Sequence, residues 1–182
     1  MAAKKIITVP NQLLREKSQP IRSFGKKTKQ LANDLVETMA MAEKQMAGVG
    51  LAAIQIGVKK QMFVLLKEKG KPVEIIVNPK ITWASKKTIT GSDKKQDLEG
   101  CLSVPDLWGV VKRAETIKIK YQDIAGRTKE EKLTGFLARV VLHEFDHLNG
   151  VLFIDRVIEQ KNQLFKLERQ NGQQELVEIN LE

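Results

Sequence analysis

The segment His143-Glu144-Phe145-Asp146-His147 contains both histidines of the 182-residue chain. A spacing of four residues places two side chains on one face of a helix, one turn apart. Paired imidazoles in that arrangement are typical of a bound metal ion. Glu144 lies about 100° around the helix axis, where its carboxylate can reach a metal-bound water. The segment therefore predicts a metal-binding helix.

A simpler interpretation is that the two histidines are core residues whose ring nitrogens bond to backbone carbonyls. The apolar setting of the segment favours a metal, because burying the charge of Glu144 is costly unless a cation lies nearby. The single cysteine, Cys101, is the candidate for a third ligand, although a lone buried cysteine is usually just a small apolar side chain. A metal held by three ligands keeps a position open for catalysis.

The composition is that of an ordinary globular protein, with 42% hydrophobic and 29% charged residues in 20.5 kDa. This length predicts a single domain spanning residues 1–182, with residues from about 170 to 182 as a C-terminal tail. No apolar run approaches the roughly 18 residues that a membrane-spanning helix needs, and no secretory signal is evident. A lone cysteine makes no internal disulfide, which is typical of a reducing, cytoplasmic compartment.

The net charge of +9 is unevenly distributed. Residues 1–95 carry 19 basic and 7 acidic side chains, a balance of +12, whereas residues 96–182 carry 12 basic and 15 acidic, a balance of −3. A basic surface attracts polyanions such as ribosomal RNA. The lysine pairs, Lys94-Lys95 among them, are not interleaved with aromatic residues, so a solvated lysine-rich face is the alternative.

Hydrophobic periodicity predicts the elements around this segment. Residues 28–46 have apolar residues at helical spacing, and a second helix is predicted from an N-cap at Thr134 to Asn149-Gly150. Short apolar or alternating runs predict strands at 61–66, 73–77, 116–121 and 128–133. The strand at 73–77 is expected to end at Asn78-Pro79. Residues 156–169 form one amphipathic stretch, and Leu176 to Leu181 could pair as an edge strand. The pattern indicates an α+β fold of antiparallel strands packed around the central histidine-bearing helix.

Two further segments contain residues suited to catalysis. In residues 48–55, Gly48 and Gly50 allow a close backbone approach, and Gln55 is either a surface residue or a placed hydrogen-bond donor. In residues 99–103, Cys101 follows a glycine and precedes strand-like residues, as a ligand at a strand boundary would.

Taken together, these three segments resemble the peptide deformylases. That family has a Gly-x-Gly-Leu-Ala-Ala-x-Gln motif, a Glu-Gly-Cys-Leu-Ser motif and a His-Glu-x-Asp-His-type motif in this order, and the chain matches them at 48–55, 99–103 and 143–147. Residues 148–153 and 10–15 are also similar to the family, so the resemblance covers about residues 5–158.

The resemblance implies hydrolysis of the N-formyl group of N-formylmethionyl polypeptides, with release of formate. It implies that Cys101, His143 and His147 bind one divalent metal ion. The family's usual ion is Fe²⁺, and Zn²⁺, Ni²⁺ or Co²⁺ suit the same ligands. Glu144 is then the general base, and Gln55 with the backbone N–H of Leu102 stabilises the oxyanion.

Substrate contacts are predicted from position. Phe136 and Val140 lie two turns and one turn before His143, respectively, and are candidates for the methionine pocket, with plain core packing as the alternative. The backbones of Val49 and Gly50 are candidates for binding an extended peptide.

Arg113 is a candidate for supporting the metal ligands, and two positions differ from the family's usual residues. Arg113 is expected to pair with Asp146 or Glu99 behind the ligands, unless it is a surface residue. Many family members have Gln where this chain has Leu142. Many bacterial ones have an arginine a few residues after the proline of the Cys motif, where this chain has Asp106-Leu107-Trp108-Gly109. An apolar contact from Trp108 is expected to alter substrate preference rather than the reaction.

Two other functions are compatible with parts of the pattern. A zinc endopeptidase uses the same pentapeptide but needs a third ligand downstream, here Glu159 or Glu168. A basic ribosome- or RNA-binding module with a structural metal is the alternative outside the enzymes. Neither a membrane nor a specific DNA site is indicated.

Overall fold

The computed structural model describes residues 3–46, 49–90, 98–170 and 173–180. Its described helices are α1 (Lys26–Met46), α2 (Phe136–Leu148) and α3 (Phe153–Glu159), with short 3-10 turns at Gln12–Arg15 and Ala53–Ile56. The described strands follow in chain order: β1 Gly50–Ala52, β2 Met62–Leu65, β3 Glu74–Ala84, β4 Thr88–Ile89, β5 Glu99–Cys101, β6 Val104–Gly109, β7 Arg113–Ala114, β8 Thr116–Gln122, β9 Thr128–Thr134, β10 Leu164–Gln170 and β11 Gln173–Ile179.

Every pairing between these strands is antiparallel, as short hairpin connections allow. A five-stranded sheet has the order β1-β2-β3-β8-β9, and a four-stranded sheet has the order β11-β10-β6-β5. Strands β4 and β7 form a separate pair. The predicted α+β class is confirmed, with the helix that bears the histidines packed on the five-stranded sheet.

The five-stranded sheet is covered on both faces near β1 and β2. Along β2, Phe63 and Leu65 point into the cluster that packs against α2, whereas Met62 and Val64 point into the cluster that packs against α1. All four are fully buried. Each such side chain contributes about 1.5–3 kcal/mol relative to exposure, so this strand anchors both helices.

Strand β8 is covered on one face only. Ile117, Ile119 and Tyr121 are buried with α2, while Lys118 and Lys120 point to solvent, as the alternating sequence predicts. On the exposed face Lys118 lies directly between its cross-strand partners Trp83 and Lys132. We call Trp83, Lys118 and Lys132 the basic face.

The third cluster joins the four-stranded sheet to α3. Phe153 and Val157 of α3 are buried with Val104 and Leu164. A Cβ on Gly109 would lie 2.5 Å from a methyl carbon of Val157, so this glycine allows α3 to approach β6 closely. This contact packs the sheet that contains Cys101 against α3, the helix that follows α2 in the sequence.

Three element boundaries differ from the sequence predictions. Strand β3 continues through Asn78-Pro79, where a register shift between Val77 and Lys80 accommodates a proline that has no N–H to donate. Thr134 is not an N-cap, because it pairs with Thr116 at the end of β9; the cap is Gly135, with φ 61°.

The predicted amphipathic stretch 156–169 is not one element. It divides into the end of α3, a turn and strand β10. An edge strand does form in the tail, as β11. Gly48, Lys94, Lys95 and Leu181, which enter the predictions, lie outside the described residues. Among the described helices, none has the length and apolarity to cross a membrane.

Candidate active site

Helix α2 carries both histidines on the face turned toward β5. The helix ends at Leu148, where Asn149 caps it and donates its side-chain amide to the carbonyl of Phe145 at 2.8 Å. Gly150 follows with φ 75°, and a Cβ there would lie 2.3 Å from the carbonyl oxygen of Arg15. The predicted Asn-Gly stop is confirmed, and it fixes the end of the helix that bears His147.

Cys101 meets the two histidines from the end of β5. Its Sγ lies 3.2 Å from Nε2 of His147, and the ligand atoms of Cys101, His143 and His147 all lie within 4.8 Å of one another. One sulfur and two imidazole nitrogens at such separations suit a tetrahedral divalent ion with one further position. The residues present therefore fit a metal. Neither Glu159 nor Glu168 belongs to this group, the candidate metal cluster found among the described residues.

The sulfur of Cys101 also accepts hydrogen bonds. The backbone N–H of Ser103 donates to it at 3.4 Å and the side-chain amide of Gln55 at 3.7 Å. These donors orient the sulfur of a candidate metal ligand.

The two imidazoles differ in their surroundings. Burial lowers the pKa of His147 well below its ordinary value, so its ring is neutral and Nε2 can donate a lone pair. Burial also opposes a proton on His143, but hydrogen bonds to Cys101 and Glu99 outweigh it and raise the pKa of His143. Because Nδ1 of His143 lies 3.2 Å from the Glu99 carboxylate and donates to it, a metal would bind at Nε2, in place of the proton there.

A network of buried ion pairs lies behind these candidate ligands. Arg113 donates from Nε and Nη2 to the two oxygens of Glu99, both at 2.9 Å, and from Nη1 to Asp146 at 2.5 Å. Arg156 binds the same Asp146 through Nη2 at 2.8 Å. Burial alone would raise the pKa of Glu99, yet its bonds to Arg113 and His143 hold it at about 2. Glu99 is therefore a carboxylate that orients His143.

The sequence predicted Arg113 to pair with Asp146 or Glu99, and it pairs with both. Arg156 was not predicted. It lies ten residues after Asp146 on a different helix, and no local spacing signals that contact.

Glu144 is buried beside the ligands, with 3% of its surface exposed. Its Oε2 has no hydrogen-bond partner among the described residues, and burial raises the pKa of Glu144 to about 7. A buried carboxyl oxygen without a partner is expensive, and a cation or a bound water supplies the missing interaction.

Gln55 is oriented by the backbone that precedes it. Its carbonyl oxygen accepts from the N–H of Ala52 at 2.8 Å, which turns the amide nitrogen toward Ser103 Oγ at 3.2 Å and the sulfur of Cys101. The side chain is 2% exposed, so Gln55 is a placed donor rather than a surface residue. Leu102 follows Cys101 in the turn between β5 and β6 and lies at the same site.

These residues border a cavity of about 380 Å³. The predicted substrate contacts Val49, Gly50, Phe136 and Val140 all line it, together with Gln55, Leu102 and Glu144. Phe136 is 57% exposed, so it is not a core residue, whereas Val140 is buried. Trp108 lines the cavity too, and so does Leu167 of β10, which the sequence did not indicate.

A candidate Cys-His-His metal site beside a buried carboxyl group and a pocket is typical of a metal-dependent hydrolase. The family model described as "Polypeptide deformylase" matches residues 3–163. The chain belongs to the polypeptide deformylase family, and it is a hydrolase that removes the N-formyl group from new polypeptides.

Individual relatives agree with this assignment. The peptide deformylase of Brucella suis is 38% identical over 168 residues, 90% of each chain, and that of Caldicellulosiruptor bescii is 41% identical over 158 residues, 87% of each. The crystal structure of the Thermotoga maritima peptide deformylase has a TM-score of 0.77 and 36% identity, covering 86% of this chain and 98% of that one. The Met-Ala-Ser-bound structure of the class I type b enzyme from Acinetobacter baumannii has a TM-score of 0.75 and 32% identity, covering 86% and 100%.

Proposed function

We propose that Cys101, His143 and His147 hold the metal ion of this deformylase and that Glu144 is its general base. The observation that carries the proposal is the convergence of three ligand atoms, within 4.8 Å of one another, beside a buried carboxylate at an open pocket. We further propose that residues 1–182 act as a single catalytic domain.

A divalent ion held by Cys101, His143 and His147 would supply Lewis acidity toward the attacking water and the formyl carbonyl. We propose Fe²⁺ as the native ion, on the family resemblance, with Zn²⁺, Ni²⁺ and Co²⁺ compatible with the same donors. Metal analysis of enzyme purified without oxygen tests this. The proposed ion is contradicted if the fully active enzyme contains another metal and no iron.

The remaining steps use the chain's own groups. Glu144 accepts a proton from the attacking water as oxygen adds to the formyl carbon. Negative charge then develops on the formyl oxygen, where the amide of Gln55 and the N–H of Leu102 donate hydrogen bonds. When the carbon–nitrogen bond breaks, Glu144 passes its proton to the departing amine, and formate and a free amino terminus remain.

We propose that the methionine side chain lies against Phe136 and Val140, with the peptide backbone along Val49 and Gly50. Strand β1 is at the end of its sheet, so its outer edge can pair with an extended peptide. The Met-Ala-Ser complex of the related Acinetobacter enzyme supports a peptide ligand for this pocket.

Two variants test these roles. Glu144→Gln should retain the metal and lose about 10²–10⁴-fold in kcat for formyl-Met-Ala-Ser. Cys101→Ala should lose both metal and activity. A Glu144→Gln enzyme as active as the wild type would rule out Glu144 as the base, and a Cys101→Ala enzyme with its full metal content would rule out Cys101 as a ligand.

We also propose a cytoplasmic enzyme that docks transiently on ribosomal RNA through the basic face. The support is the alignment of Lys118 and Lys132 with the half-exposed ring of Trp83, which suits phosphates and a stacked base. Ribosome binding should weaken between 50 and 200 mM KCl, and Lys118→Glu should weaken it further, whereas Lys161→Glu, an exposed control, should not. Binding that ignores salt would contradict the proposal.

A further inference from the structure

A hairpin beyond the family match reaches the active-site pocket. The match ends at residue 163, and β10 and β11 follow it. Strand β10 pairs with β6 and so extends the sheet whose far strand, β5, contains Cys101. The hairpin is therefore continuous with the strand that presents a proposed metal ligand.

One face of this sheet carries four apolar side chains beside the pocket, together with Asp106, which also lines the pocket, and Glu178, which pairs with Phe165. Phe165 pairs directly with Trp108, and Leu167 pairs with Leu176, so each pair shares a face. Phe165 and Leu167 are two residues apart on β10 and also share it. All four side chains are partly exposed, and Trp108 and Leu167 line the pocket. We call these four residues the hairpin wall.

Gly100 holds the hairpin wall close to the reaction centre. A Cβ on Gly100 would lie 2.7 Å from the ring of Trp108, so the indole occupies the space above this strand only because residue 100 has no side chain. Gly100 directly precedes Cys101, which places the wall next to the proposed metal ligand.

We infer that the hairpin wall is a subsite for the side chain of the residue that follows formyl-methionine, and that it selects an apolar one. This inference rests on the proposed function, in which methionine contacts Phe136 and Val140 of α2. Successive side chains of an extended peptide point in opposite directions. If the methionine side chain points at Phe136 and Val140 of α2, the next side chain therefore points at the four-stranded sheet, where Trp108 and Leu167 lie.

The experiment compares kcat/KM for formyl-Met-X-Ser with X as Leu, Ser, Lys or Asp. The wild type should prefer Leu over Ser by about tenfold, the discrimination typical of an apolar contact. Leu167→Glu should abolish that preference and favour Lys over Asp by about tenfold. These ratios are insensitive to the fraction of folded enzyme, because every substrate samples the same active molecules.

Val177→Glu is the matched control. Val177 pairs with Lys166 on the neighbouring position of the hairpin, so its side chain is on the opposite face from Leu167, and it is 38% exposed. The control adds the same charge to the same hairpin but should leave both the Leu/Ser and the Lys/Asp ratio unchanged. Leu167→Thr, a milder change, should lower the Leu preference without a new charge preference.

Three outcomes overturn the inference. Equal ratios for Leu167→Glu, Leu167→Thr and the wild type would show that the hairpin does not contact the second residue. Equal shifts for Leu167→Glu and Val177→Glu would show a general charge effect. A change confined to the first residue, measured with formyl-Met-Ala-Ser against formyl-Leu-Ala-Ser, would assign the wall to the methionine pocket. A wild type inactive on every formyl peptide would instead contradict the proposed function itself.

Discussion

The carboxylate of Glu144 occupies the space that a side chain on Gly50 would need. A Cβ built on Gly50 would lie 2.5 Å from Oε1 of Glu144 and 3.0 Å from its Cδ. The absence of a side chain on Gly50 of β1 therefore leaves the space that the Glu144 side chain of α2 fills. The glycine is needed here for the close approach of a carboxylate rather than for a turn.

This relationship predicts that Gly50→Ala displaces the Glu144 carboxylate and lowers kcat by about 10²-fold, since general-base catalysis depends on position. Thermal stability and metal content should change little, because the clashing group is the end of a flexible side chain. Steady-state kinetics and a thermal melt measure both effects.

Gly25→Ala is the control for Gly50→Ala. A Cβ on Gly25 would meet only Ser23 Oγ, at 3.7 Å, so this variant should have wild-type kinetics. Unchanged kcat in Gly50→Ala would contradict the proposed position of the base.

Arg113 is predicted to support both folding and metal binding. Arg113→Met removes the cation that binds Glu99 on two oxygens and Asp146 on one. An uncompensated buried carboxylate costs about 3–5 kcal/mol of unfolding free energy, and loss of support behind a ligand weakens metal binding about 10–100-fold. Urea unfolding and metal titration measure the two effects.

Lys59→Met is the comparison, because Lys59 and Glu16 are each about half exposed. That variant should change stability by less than about 1 kcal/mol. If the two variants were equally stable, the buried ion pairs of Arg113 behind His143 would have no structural role.

The local parts of this site were predictable from sequence because their geometry is local. Two histidines four residues apart lie on one face of any helix, and the alternation along β8 fixes which residues are buried. Gln55 remained ambiguous, since its role depends on the Ala52 N–H and on Ser103, 48 residues away.

The remaining differences arise from long-range pairing. Thr134 has the side chain of an N-cap, but its pairing with Thr116 extends β9 and shifts the cap to Gly135. Residues 164–169 continue an amphipathic pattern, yet pairing with β6 and β11 makes them a strand. No periodicity within the segment reveals such partners, so the hairpin wall was not predictable.

Acid stability is predicted to depend on Glu131. Burial opposes ionisation of Glu131, but hydrogen bonds from Lys67 and Tyr121 outweigh it and hold the pKa of Glu131 below its ordinary 4.5. A lowered folded-state pKa stabilises the fold above pH 4.5 and ceases to do so as the pH falls through the folded value. Glu131→Gln should therefore lose about 1 kcal/mol at pH 7, reduced for partial solvation, and this difference should shrink as the pH falls below 4.5.

Urea unfolding of both proteins at several pH values, with metal removed from each, measures this difference. Glu175→Gln, at an exposed carboxylate of β11, is the control. A stability gap that stays constant from pH 7 to pH 3 would contradict the assigned role of Glu131.

Gly150 is predicted to be the glycine whose replacement most disturbs the end of α2. Both Gly150 and Gly70 have positive φ, 75° and 81°, so alanine is strained at each by about 1 kcal/mol. Only at Gly150 would the added Cβ also meet rigid backbone, 2.3 Å from the carbonyl oxygen of Arg15. Gly150→Ala should therefore cost several kcal/mol and weaken metal binding through His147, three residues earlier.

Gly70→Ala, with open space around its Cβ, should lose only the strain energy and bind metal normally. Equal melting temperatures for the two variants would mean that the contact between Gly150 and Arg15 does not constrain this helix end.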